Sequence, residues 1–455
     1  MPLLPEQKEA IRRASKAAIS AAFARIATNL LSKRWLPNSN DYTVDCTEVL
    51  RSQTSVLPPG VHSSDLAEYI AASAPLHCMD GWSLLGRALE SHARGDIHTA
   101  IHLAYYAELR AAMSLLASEG IGIFDDRHFV VTGPKLCEPL GEFSIPKKSR
   151  GKTGGGTHNL AWLALEYWST LARAGNLLTR IVRPGGIAFG DWLDEYGAPS
   201  LSRAMGKRWL QQWGLDLRRL SEGKDRDARN QASYRPTQLI LATRMRAAES
   251  SSCLRSLWLL AEPQAAARFA ELDRHLLRVA LDYAKDALPG GAKARSTRLR
   301  KMLGSLINNP LIATQWRQFL THRIHSGTPT PFTDAAEFGE AGDKRLHLQI
   351  ISRAVLLLRV ATGGCEELLA GAHISRKDLH FWWSSIGEER GLWQPLSPPG
   401  DFLDLWADVL DAAGDLGNWE TSNKKTNRAT WREAMSGQLS ILGETERIAL
   451  WGLGL

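Results

Sequence analysis

Apolar residues recur at helical spacing through most of this chain. The pattern i, i+3, i+4, i+7 runs through 7–31, 83–91, 97–118, 159–178, 201–220 and 236–251, and again through 265–288, 298–307, 312–324, 344–361 and 402–412. The stretch 97–118 is the clearest: Tyr105, Tyr106, Leu109, Met113 and Leu116 fall on one broad face. Between 120 and 157 the period shortens. Apolar runs at 128–132 and 142–145, divided by Gly and Pro, predict a strand pair set between helices. The expected fold is therefore mainly α with a small β insertion, and no fixed-length repeat is visible. Pro289, Gly290 and Gly291 stop one helix just before a basic one, which predicts a boundary near residue 290. Further breaks are expected at 326–331 and 394–400. The chain divides on this reading into a helical segment 1–80, a bundle 81–288 with its β insertion near 120–157, and a helical, Trp-rich domain 298–455.

Composition adds bounds. A 455-residue chain with 44% hydrophobic residues has enough apolar side chain for large cores. Of its 16 tryptophans, Trp382, Trp383, Trp393, Trp406, Trp419, Trp431 and Trp451 cluster in the last quarter, where they are expected to pin a core rather than bind bases. Cys46, Cys78, Cys137, Cys253 and Cys365 are scattered and form no framework, which fits a reducing, cytoplasmic setting. Glu6, Lys8, Glu9, Arg12 and Arg13 break the N-terminal stretch too often for a signal peptide. No uninterrupted apolar run nears the ~18 residues of a membrane span, and 355–360 is short and contains Arg359, so no membrane contact is expected. The 55 basic residues exceed the 48 acidic ones, a net charge of +7 that favours a polyanionic partner such as nucleic acid.

Several chemistries fit poorly. Gly151-Lys152-Thr153 superficially resembles a phosphate-binding loop, but Pro146 stands where that motif needs a glycine. A cationic loop with Lys148, Arg150 and Lys152 remains, and Thr157 is expected to cap a helix starting at His158 and offer its N–H groups to a phosphate. Asp125-Asp126 with His128, and Glu366-Glu367 with His373, match no metal-ligand spacing. No metal or cofactor is expected. A nucleophile elbow is absent too. Arginine followed within one or two helical turns by histidine pairs a phosphate-holding cation with an acid/base group; Arg87 with His92, Arg268 with His275 and Arg317 with His322 have that form.

A more informative motif is the segment Arg229-Asn230-Gln231-Ala232-Ser233-Tyr234, where an arginine and a polar residue stand at an expected helix start. With the upstream helix around Tyr105 and Tyr106, it resembles the HEPN superfamily over about residues 80 to 255. That resemblance implies a helical bundle, frequently dimeric, of the kind found in bacterial toxins and phage-defence systems that cut RNA or bind nucleotides, here as a metal-independent ribonuclease. It also implies that Arg229 holds the scissile phosphate and Asn230 orients it. Tyr234 stands where the family has its acid/base histidine. Either His92 or His158 supplies that role, or the site binds RNA without cutting it. Arg203, Lys207, Arg208, Arg218, Arg219, Arg226 and Arg235 crowd the same region, with Trp209 and Trp213 between them, a mixture suited to single-stranded RNA. The competing expectation is a non-catalytic scaffold or DNA-binding subunit that works with a partner defence protein.

Overall fold

The computed structural model describes residues 2–54, 61–125, 127–140, 156–198, 215–234, 245–264, 267–321, 328–339, 343–423 and 426–454. It is mainly helical with a small antiparallel sheet, as the periodicity predicts. The first half holds α1 (Pro5–Arg13), α2 (Lys16–Ala27), α3 (Cys46–Thr54), α4 (Ser64–Arg94), α5 (Ile97–Ser118), α6 (Thr157–Ser169), α7 (Ala172–Ile181), α8 (Phe189–Glu195), α9 (Leu217–Ser221) and α10 (Lys224–Tyr234). The second holds α11 (Ala247–Leu260), α12 (Ala270–Ala287), α13 (Ala292–Leu306), α14 (Pro310–Thr321), α15 (Thr330–Ala336), α16 (Leu346–Gly371), α17 (His380–Arg390), α18 (Leu405–Ser422), α19 (Arg428–Ala434), α20 (Ser436–Ile441) and α21 (Glu446–Gly452).

The sheet contains β1 (Val61–His62), β2 (Ile121–Ile123), β3 (His128–Gly133) and β4 (Leu136–Pro139), in the order β1-β4-β3-β2. The run at 128–132 is therefore a strand, but its hairpin partner is β4, with Val131 opposite Cys137. The expected partner at 142–145 lies outside the described residues. β2 continues almost directly from α5, and the sheet closes one end of the helical core.

The centre of the fold is a three-helix contact: α5 packs along both α4 and α16. α4 begins at a Ser63 cap, whose side chain accepts from the Leu66 N–H, and ends at Gly95 in the left-handed region, φ +80°. It runs unbroken through Pro75, so the expected division at residue 80 falls inside one helix. α16 is long and apolar enough to cross a membrane by length and composition, yet its apolar window is wholly buried in the protein. Its two interior charges are neutralised in place: Arg359 makes two 2.8 Å bonds to Asp273, and Arg353 does the same with Asp225. One continuous apolar cluster runs from Leu3 to Leu453. The C-terminal segment closes on α4 so tightly that a Cβ at Gly86 would collide with the Gly443 carbonyl. The C-terminal tryptophans serve that core, with Trp431 and Trp451 fully buried. At the expected boundary near 290, α12 and α13 are separated only by a short turn in which Gly290 takes φ +101°.

Candidate functional site

The site forms where α10 lies across α5. Residues 225, 228, 229 and 232 share one face of α10 by helical geometry, and that face meets α5. It is an unusual buried face, because its two deepest side chains are Asp225, 2% exposed, and Arg229, 7% exposed. Acidic Asp225 and Asp227 in the first turn suit the positive end of the helix dipole. Asp225 then anchors the helix to α16 through Arg353, which also donates to the Ala335 and Glu337 carbonyls and lies 4.0 Å from the Phe338 ring centroid. Glu108 of α5 approaches the same guanidinium at 3.5 Å. It is fully buried and neither carboxylate oxygen has a hydrogen bond. Burial, then the nearby Asp225 charge, pushes its pKa well up, which favours the protonated carboxyl.

One turn further along α10, the Arg229 guanidinium lies over two rings, 5.3 Å from the centroid of Tyr105 and 5.4 Å from that of Tyr106. Its Nε is buried without a hydrogen-bond partner. Among the described residues no carboxylate lies within ion-pairing distance of it. Two histidines complete the cluster. His158, in the first turn of α6, stacks on Tyr105 with ring centroids 5.7 Å apart, and its Nδ1 is 3.0 Å from the Tyr105 hydroxyl. His102, one turn before Tyr106 on α5, lies 5.0 Å from that ring, with its Nδ1 2.8 Å from the Ser233 hydroxyl. Burial and then the Arg229 charge hold both imidazoles below the ordinary histidine pKa, so both are neutral at neutral pH. Burial pushes the Tyr105 phenol up to about 12, which keeps it a hydrogen-bonding group and not a base.

Arg229, His158 and the Tyr105 helix are thus brought together. Arg229 stands in the middle of α10, however, and not at a helix start. Asn230 is half-buried beside it on the same helix. Tyr234, at the last position of α10, is 74% exposed and points out of the cluster. His92 is not part of it: the side chain is fully buried, stacked on His347 with 2.9 Å between Nδ1 and Nε2, where no RNA can touch it. Its proposed partner Arg87 lies on the exposed face of the same helix. His275 is likewise buried, against Phe319 and Phe332, and His322 lies outside the described residues.

Of the expected cationic surface, Arg218 is paired with Glu222 at 3.1 Å, Arg219 lies 5.2 Å from the Phe338 ring centroid, and Arg226 is half-buried 3.7 Å from Asp227. Arg203, Lys207, Arg208 and Arg235 lie outside the described residues, as do Lys148, Arg150 and Lys152. Thr157 does not cap the following helix. It is the first residue of α6, and its hydroxyl donates to the Phe124 and Asp125 carbonyls. The N–H groups of that first turn are left without a side-chain cap, beside His158.

Tyr106 and His158 also form part of the wall of an adjoining cleft of about 570 Å³ between α3, α4, α5 and the start of α6. Among the described residues no group of three or more His, Cys, Asp or Glu side chains is placed to hold a metal. No family model matches the chain, and no curated protein or solved structure matches it.

Proposed function

We propose that this protein binds single-stranded RNA at Arg229 and cleaves it without a metal, as a cytoplasmic ribonuclease of the kind that acts in bacterial defence or as a toxin. The observation that carries this reading is the state of Arg229. Arg229 is 7% exposed as a residue, its Nε is buried without a hydrogen bond, and no carboxylate lies within ion-pairing distance among the described residues, so part of its hydration is lost without a direct counter-ion. A phosphate supplies that missing charge, with planar, paired hydrogen bonds that suit guanidinium geometry.

The chemistry follows from the two histidines. A neutral imidazole takes the proton of the ribose 2′-hydroxyl, whose oxygen attacks the adjacent phosphorus. The bond to the 5′-oxygen breaks, and that oxygen takes a proton from the second imidazole, which carries it once the bound phosphate has offset the charge of Arg229. Arg229 stabilises the extra charge on the phosphoryl oxygens. The products are a 2′,3′-cyclic phosphate and a free 5′-hydroxyl. Incubating end-labelled RNA with the protein in chelator tests this directly. Cleavage by wild type, lost in Arg229→Ala and in His158→Gln, supports the reading; intact RNA with wild type, or cleavage that requires added metal, overturns it.

A second reading draws on Tyr234. Because it points into solvent and not toward Arg229, the motif itself supplies no acid or base. A non-catalytic subunit that binds nucleic acid beside a partner protein fits that feature. Salt-sensitive binding to duplex DNA with no preference for RNA favours it.

A further inference from the structure

We propose that the cleft beside Arg229 is a nucleobase pocket, which receives one unpaired base next to the phosphate bound at that arginine. The inference rests on the phosphate reading of Arg229 and adds to it what the site recognises. Continuity is the first observation. Tyr106 and His158 lie in the ring cluster under Arg229 and also line the cleft, so a ligand that spans both touches the same two side chains. Size is the second: about 570 Å³ is within the usual range for small-ligand sites and exceeds what a single base requires.

The lining chemistry selects the ligand. Tyr69 and Phe124, with ring centroids 5.7 Å apart, line the same cleft as Tyr106 and His158, themselves 5.8 Å apart, so the wall is rich in the aromatic groups that contact a planar heterocycle. The charges argue against a second phosphate. Asp45, Asp125 and Arg110 line the cleft; Arg51 pairs Asp125 at 2.7 Å and Asp80 pairs Arg110 at 2.6 Å, which leaves Asp45 as the lining charge with no ion pair among the described residues. A neutral ring with an N–H donor fits the Asp45 carboxylate, which disfavours an anion beside it. Phosphate at Arg229 and base in the cleft are thus separated by charge as well as by position.

The test is calorimetric titration of the intact protein with the four ribonucleosides, their 3′-monophosphates and inorganic phosphate, in wild type, Leu76→Trp and Arg229→Ala. Leu76 lines the cleft and is 38% exposed, so an indole there fills the space without entering the core. Thr47→Trp, from the α3 wall, is the second filling variant should the first fail to fold. The expected result is saturable binding of at least one nucleoside, weakened ten-fold or more by the filling variant and little changed by Arg229→Ala, with Arg229→Ala removing the added affinity of the monophosphate. Monophosphate binding that depends on Arg229 but ignores the filling variants overturns the pocket and leaves the phosphate reading standing. Nucleoside binding blocked by the filling variants, with Arg229→Ala silent toward monophosphate and RNA, keeps the pocket and overturns the phosphate reading. No binding of any nucleoside or monophosphate overturns the pocket outright.

Discussion

Asp225 of α10 accepts two hydrogen bonds from Arg353 of α16, each 2.8 Å long, with Arg353 wholly shielded from solvent. This pair fixes the helix that carries Arg229, and a third buried group, Glu108, stands 3.5 Å from the same guanidinium. Removing one partner of a buried ion pair ordinarily costs about 3–5 kcal/mol. Here the cost of Asp225→Asn should be smaller, about 1–3 kcal/mol, because Glu108 can release its proton and take over as the counter-charge. The double variant Asp225→Asn/Glu108→Gln should then lose more than the sum of the single losses. Urea unfolding of the four proteins checks it, and strict additivity would show that Glu108 plays no such part.

Arg229 should behave in the opposite way. Its contacts with Tyr105 and Tyr106 are worth up to about 2 kcal/mol when desolvated, but burying a charge without a counter-ion costs a similar amount or more. Arg229→Met keeps most of the packing and removes the charge. The expected outcome is unfolding stability within about 1 kcal/mol of wild type, or above it, together with loss of RNA binding. A large loss of stability in Arg229→Met would mark the arginine as structural.

These two residues also show what the sequence made legible and what it hid. α5 was legible because its buried face is apolar and aromatic at regular spacing, the signal that hydrophobic periodicity reads. α10 was not, because its buried positions are Asp225 and Arg229; a helix whose inward face is charged looks like a solvated one. Only 83–91 of α4 was legible from apolar recurrence; the helix begins at Ser64 and continues through Pro75, packed against α5 and α16. Within the site, Arg229 and His158 could be named from the chain, but choosing His158 over His92 needed the burial of His92 against His347. His102 was missed. The available signal was its place one turn before Tyr105 and Tyr106, which puts histidine and tyrosine on one stripe of the helix.

The histidine pair can be followed without any assay of activity. Burial and Arg229 both lower the pKa values of His102 and His158, so nitrogen-15 spectra of labelled histidines should show two imidazoles that remain neutral below the ordinary midpoint near 6.5. Arg229→Ala removes one of two causes at His102 and one of three at His158, where Arg226 also acts. Both midpoints should rise in that variant, while the buried His92 should not respond. Unchanged midpoints for His102 and His158 would place Arg229 too far away to act with them.

Acid should destabilise the whole fold through histidines outside the site. Burial holds His92 and His275 down at about 3, and His347 well below its usual value. In the unfolded chain each titrates near 6.5, so between about pH 6.5 and pH 3 the unfolded state binds protons that the folded state refuses. Stability is therefore complete above the unfolded midpoint and falls as the pH drops through that window, with a limiting slope of about 1.4 kcal/mol per pH unit for each histidine. The stacked pair resists protonation for a second reason: a charge on His92 would face His347 at 2.9 Å and the guanidinium of Arg428, which donates to the His92 carbonyl. His275 faces Arg274 and Arg278 in the same way. His275→Leu should flatten the stability profile between about pH 6 and pH 4 by close to one proton's worth, as measured by urea midpoints at several pH values. A profile as steep as that of wild type would mean that His275 accepts its proton in the folded state.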